Sequence, residues 1–102
     1  MATAVPTIIT SVSGLIYTGP CVFLGYLVGT DGANDPTVTI YNNTSAAGNE
    51  VVPTCAYDAS QLGVSGATGL KVLCEKGIYV EIACAGTTEV VVFWAPAHTV
   101  VM

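Results

Sequence analysis

The groups able to do chemistry in this 102-residue chain are few and widely spaced. The single histidine, His98, stands near the C-terminus just after Pro96, and any Ser-His-Asp or Cys-His site would have to be built around it. Nucleophilic catalysis needs a nucleophile, a base and a group orienting the base, all on rigid supports, and a terminal tail supports poorly. The seven acids are Asp31, Asp35, Glu50, Asp58, Glu75, Glu81 and Glu89. Two of them facing one cleft could hydrolyse a glycoside. Most sit at turns or strand ends, however, where a solvated acid is the simpler role, and so short a chain leaves little material for a cleft. No enzyme activity is expected and no catalytic residue is assigned.

Metal and ligand chemistry fares no better. Cys21, Cys55, Cys74 and Cys84 are 34, 19 and 10 residues apart, with no C-x-x-C. Structural zinc ligands come in pairs two to four residues apart, so no metal or other cofactor is expected. Two disulfides are possible in three connectivities. With no secretion signal in view, buried free thiols acting as small core residues are the favoured reading. The acidic run at residues 31–35 (DGAND) offers oxygen ligands for Ca²⁺ but lacks the alternating spacing and downstream Glu of an EF-hand loop, so it reads as a turn. Overlapping glycosylation sequons at residues 42–45 (NNTS) read as turn chemistry too. No glycine series opens a helix with a Lys, so no phosphate loop is present. Trp94 and Tyr79 could form a sugar-stacking platform, although sheet packing is the commoner fate of such aromatics.

Composition removes whole classes of partner. Charged residues make up 9% of the chain, against about 25% in an average soluble domain. The only cations are Lys71 and Lys76, and the net charge is −5. Nucleic-acid binding and polybasic membrane anchoring both need clustered cations, so neither is expected. A hydrophobic fraction of 52% and a mean hydropathy of +0.67 exclude a disordered chain. The longest apolar runs, residues 21–28 (CVFLGYLV) and 90–95 (VVVFWA), fall far short of the ~20 residues of a spanning helix. The N-terminal segment carries no Lys or Arg and is interrupted by Pro6, so no secretion signal is expected. With so few charges, some apolar surface must stay outside unless another chain covers it. The chain is therefore expected to work packed against neighbours, with a homo-oligomer as one outcome.

The elements that must position these residues are strands. Residues 37–41 (TVTIY) and 78–84 (IYVEIAC) alternate apolar with polar, and Leu70, Val72 and Cys74 oppose Lys71, Leu73 and Glu75. Helix signals are nearly absent. The one candidate turn is residues 58–62 (DASQL), capped by Asp58 and stopped at Gly63. Loops are expected at residues 31–36, 42–49 and 63–69, and tight hairpins at Glu75-Lys76-Gly77 and Ala85-Gly86-Thr87-Thr88. Strands then fall near residues 7–12, 15–18, 21–29, 37–42, 50–56, 70–75, 78–84 and 89–95. About eight short strands predict an all-β, single-domain antiparallel sandwich or jelly roll over residues 1–102. With Lys so scarce, the exposed strand edges are expected to be covered by neighbours. Residues 1–6 (MATAVP) and 95–102 (APAHTVVM) are small or apolar, and each is read as a docking arm or an edge strand. The candidate partner-docking residues are Val5, Pro6, Trp94, Val100, Val101 and Met102.

Three segments carry a resemblance: residues 30–41 (TDGANDPTVTIY), 42–51 (NNTSAAGNEV) and 77–93 (GIYVEIACAGTTEVVVF). In this order they resemble the small all-β virion proteins of tailed bacteriophages. There a D-G-N-P-T-V-T-I-Y strand precedes an N-T-S-A-G turn and a closing G-I-Y-V hairpin. The resemblance spans most of the chain, while the four cysteines and the apolar tail have no place in that pattern. It implies a non-enzymatic virion component made in the bacterial cytoplasm, foremost a capsid decoration (cement) protein bridging major capsid subunits. A neck, tail or fibre-base component is the alternative within that class. A small carbohydrate-binding sandwich is the alternative outside it.

Overall fold

The computed structural model describes residues 5–10, 12–60 and 64–97. Eight strands follow one another: β1 (Val5–Thr10), β2 (Gly14–Thr18), β3 (Cys21–Thr30), β4 (Thr37–Tyr41), β5 (Glu50–Ala56), β6 (Ser65–Cys74), β7 (Gly77–Ala83) and β8 (Thr88–Pro96). They form two four-stranded sheets of order β1-β8-β3-β6 and β2-β7-β4-β5, every pairing antiparallel. The pairs β1·β8, β2·β7, β3·β6 and β4·β5 are those of one long hairpin bent at the β4–β5 turn. Rolling that hairpin adds the β3·β8 and β4·β7 pairings, which is the jelly-roll arrangement. Among the described residues no helix is long and apolar enough to cross a membrane.

The interior is the layer between the sheets. From β1-β8-β3-β6 it takes Cys21, Phe23, Val28, Cys74, Val90 and Val92. From β2-β7-β4-β5 it takes Val38, Ile40, Val52, Ile78, Val80 and Ile82. The alternation read in β6 and β7 puts Leu70, Val72, Cys74, Ile78, Val80 and Ile82 inward, as expected. One end of the layer is closed by Trp94, whose ring lies 4.5 Å from that of Tyr17 and whose Nε1 donates to Thr7 Oγ1 at 2.9 Å. Tyr26 and Tyr57 share a hydrogen bond between their hydroxyls, 3.1 Å apart. At the corner between β1 and β2, the Ser13 hydroxyl accepts from the Ile82 amide at 2.9 Å and so holds the turn against β7.

Several expectations need correction. Residues 65–69 are not loop: β6 starts at Ser65. Gly66 misled because it serves close approach to β3, while Gly69 takes a left-handed conformation, φ +77°, inside the strand. Gly66 has φ +153°, and a Cβ there would run into the Tyr26 carbonyl oxygen. Glu75-Lys76-Gly77 and Ala85-Gly86-Thr87-Thr88 are not hairpins, because β6 and β8 lie in one sheet and β7 in the other. Each is an arch between sheets; among consecutive strands, only β4 and β5 pair. β1 runs from Val5 to Thr10 rather than from residue 7, so Val5 and Pro6 are edge strand and not arm. Cys55 is exposed, against the expectation of four buried thiols; Cys21 and Cys74 are buried and Cys84 is half-buried. The capped turn is present at Asp58, whose Oδ1 accepts from the Ser60 amide at 2.9 Å, while Gly63 lies outside the described residues.

Candidate functional site

Polar chemistry is used up locally. Asp31 Oδ1 accepts from the amides of Ala33 and Asn34 at 2.9 and 2.8 Å, and Oδ2 accepts from Asn34 Nδ2 at 2.9 Å and the Thr87 amide at 3.1 Å. Four donors on one carboxylate hold its pKa well below the ordinary range, the Asn34 side chain contributing most. Oδ1 thus closes the 31–36 loop on itself, and Oδ2 ties that loop to the β7–β8 arch. Gly86 is required there, since a Cβ would collide with the Asp31 carboxylate. Asn42 acts similarly, its Oδ1 accepting from the Lys76 amide at 3.1 Å. Among the described residues no three His, Cys, Asp or Glu side chains gather into a group that could hold a metal ion.

The proposed stacking platform is not formed. Trp94 lies in β1-β8-β3-β6 and Tyr79 in β2-β7-β4-β5, and Trp94 spends its ring on Tyr17 and its N–H on Thr7. Reading residues 85–88 as a hairpin had made the two neighbours. Of the docking candidates, Val5 opposes Trp94 at 40% exposure and Pro6 opposes Phe93. Val100, Val101 and Met102 lie outside the described residues.

The outstanding surface is the outer face of β1-β8-β3-β6. In antiparallel sheets, directly opposed residues share a face, so the register lays this one out in rows. One row is Leu73, Val22 and Ala95; the next is Thr68, Gly25, Phe93 and Pro6; the third is Gly66, Leu27, Val91 and Ile8. Val22, Gly25 and Ala95 are nonetheless buried, so the open part of this face is the Pro6, Ile8, Leu27, Val91 and Phe93 stretch, with Leu73 at the other edge. All alternate with the core residues Phe23, Val72, Val90 and Val92. Ile8 is 62% and Leu73 46% exposed, at opposite edges of the patch. The charges the alternation puts outward are peripheral: Lys71 on β6, and Glu89 opposite Thr10 at the far end. A β3 irregularity at Leu24, between Phe23 and Gly25, keeps the rows in phase on both sides of it.

Sequence reading missed Ile8, Leu27, Leu73, Val91 and Phe93 as surface candidates, yet a signal was present. The runs CVFLGYLV and VVVFWA are apolar in both phases of the strand alternation, and a strand with one solvated face alternates instead. No protein-family model, characterised protein or solved structure matches this chain.

Proposed function

We propose that the protein is a non-enzymatic structural subunit of a virus particle. In this reading it is a decoration protein of the tailed-bacteriophage kind, which bridges adjacent major capsid subunits and meets further copies of itself. The observation that carries the reading is the outer apolar face of β1-β8-β3-β6, centred on Val91, Phe93 and Leu27. A second apolar face is what a jelly roll needs when its working state is buried between neighbours. The molecule measures 40 × 26 × 18 Å, so one broad face is on the scale of the ~800 Å² per partner that stable interfaces bury.

Three further points support assembly by area rather than by reaction. The described polar groups are engaged in turns and ladders, not converged on a cleft. The low charge content suits permanent burial, because a buried unpaired ion costs several kcal/mol. Pro6 on edge strand β1 and Pro53 on edge strand β5 guard those edges against strand addition, which leaves faces rather than edges for contact. The edges therefore depend less on neighbours than the scarcity of Lys suggested. Jelly rolls recur in viral capsids, a fold-level analogy that agrees with the motif resemblance. Bridging would stabilise the shell by mass action, since only the assembled lattice presents the complete site.

The test uses particles of the phage that encodes the chain. Purified particles should contain it in fixed ratio to the major capsid protein. Particles depleted of it should rebind recombinant wild-type chain, but not a chain carrying Ile8→Glu with Leu73→Glu. Particles that lack the protein, or equal rebinding by the variant, would overturn the reading.

A further inference from the structure

Cys21, the first residue of β3, and Cys74, the last of β6, are directly opposed in the antiparallel register. They are 53 positions apart in sequence, both inward-facing and both 0% exposed. Cys21 Sγ lies 3.7 Å from the Cys74 carbonyl oxygen, so the two side chains occupy one spot in the core. The ladder continues past them, Gly19 donating to the Lys76 carbonyl at 3.0 Å. Counting two residues on in each strand, the alternation makes Cys21 and Cys74 another hydrogen-bonded pair, with a Cα separation of about 5.5 Å. That separation falls where disulfides most often occur, and opposed residues aim their Cβ atoms to the same side. Neither other cysteine has such a partner. Cys55 is exposed on β5 of the other sheet, opposite Val38, and Cys84 follows β7 with its Sγ 4.0 Å from the Asn34 carbonyl.

We infer that Cys21 and Cys74 form a cross-strand redox pair, which a low-molecular-weight disulfide such as glutathione disulfide oxidises to a bridge joining β3 to β6. In the first step the Cys74 thiolate attacks one sulfur of glutathione disulfide, forming a mixed disulfide and releasing one glutathione thiolate. The Cys21 thiol then gives up its proton and attacks Cys74 Sγ, expelling the second glutathione. Two protein thiols lose two electrons and two protons, and one glutathione disulfide becomes two glutathiones. The order of attack follows from position: Cys21 Sγ donates to the Cys74 carbonyl oxygen, which holds its proton, while Cys74 stands on edge strand β6 and is opened first. The interaction between the two thiols acts in the same direction, raising the pKa of Cys21 and lowering that of Cys74. Access is through β6, the outermost strand of its sheet, where Leu73 beside Cys74 is exposed. The bridge would fasten that edge in an oxidising setting and leave it free in a reducing one.

The test incubates the full chain with glutathione disulfide, or with dithiothreitol, then unfolds it, alkylates it and maps the peptides. Oxidised chain should keep two alkylatable thiols, Cys55 and Cys84. It should yield one linked peptide pair containing residues 21 and 74, and unfold on the order of 10 °C higher than reduced chain. A Cys55→Ser, Cys84→Ser double variant should form the same bridge, and single Cys21→Ser or Cys74→Ser variants should not. The proposal is overturned if four thiols remain after oxidation, even in mild urea that loosens β6. It is equally overturned if the links involve Cys55 or Cys84, or if Cys74 stops at the glutathione adduct.

Discussion

The two sheets share one interior but differ in what they turn outward. On β2-β7-β4-β5 the outer face carries exposed Leu15 at its β2 edge, opposite Tyr79, and is otherwise polar and knitted together. Tyr41 donates to Glu81 Oε1 at 2.9 Å, Thr39 and Thr54 share a hydrogen bond at 2.7 Å, and Tyr79 lies beside Tyr41 in the register. On β1-β8-β3-β6 the outer face carries Pro6, Ile8, Leu27, Leu73, Val91 and Phe93, while Val22 and Ala95 on the same phase are buried. The first sheet spends its polar groups within the chain; the second turns apolar side chains outward. A fold needs one apolar face per sheet, so the additional one is not required by the interior.

The sharpest way to break the comparison is to truncate the same residue type in the shared interior and on the apolar outer face. Ile40 is fully buried between the sheets, and Ile40→Ala should cost about 2–5 kcal/mol in chemical denaturation. Ile8→Ala on the outer face should stay within about 0.5 kcal/mol in the isolated chain. Equal costs would mean that the outer face already packs against something within the chain.

A smaller effect separates the two outer faces. Thr39→Val leaves the Thr54 hydroxyl without its partner and should cost about 1 kcal/mol. Val91→Thr, an equally isosteric change on the apolar face, should be nearly neutral to folding and should weaken association instead. Urea midpoints and solution mass measured on both variants distinguish these outcomes.

The smallest effect is in the alkaline limb. The bond to Glu81, ahead of burial, raises the Tyr41 phenol above its ordinary value of 10.0. Its contribution is complete below pH 10 and is lost as pH rises through the raised pKa. Thermal melts should fall as pH rises above 10 for the wild type, and less steeply for Tyr41→Phe. Identical slopes would remove Tyr41 from the polar network.

Much of the fold was legible in the chain because β-branched alternation is a local signal. All eight strands are expected near where they lie, and the inward phase of β6 and β7 is correct to the residue. What failed was pairing. A short turn between two period-2 segments looks the same whether it makes a hairpin or carries the chain across to the other sheet. Residues 75–77 and 85–88 were misread for that reason, and Trp94 and Tyr79 were wrongly made neighbours. Gly66 misled because a glycine that opens a turn and one that admits a neighbouring carbonyl are identical in sequence. The apolar outer face was legible in principle, in the unbroken runs at residues 21–28 and 90–95. Its extent required the register that sets Ile8, Val91 and Leu27 side by side.

The most direct test of the account is the solution mass of the purified chain, by size-exclusion chromatography with light scattering. The account predicts a multiple of 10.4 kDa, or a mass rising with concentration, and a return to a single chain when Ile8→Glu is combined with Leu73→Glu. The thermal midpoint of that double variant should match the dissociated wild type, which separates lost association from lost folding. A wild-type chain that stays at 10.4 kDa up to high concentration, with the outer face bare and soluble, would contradict it.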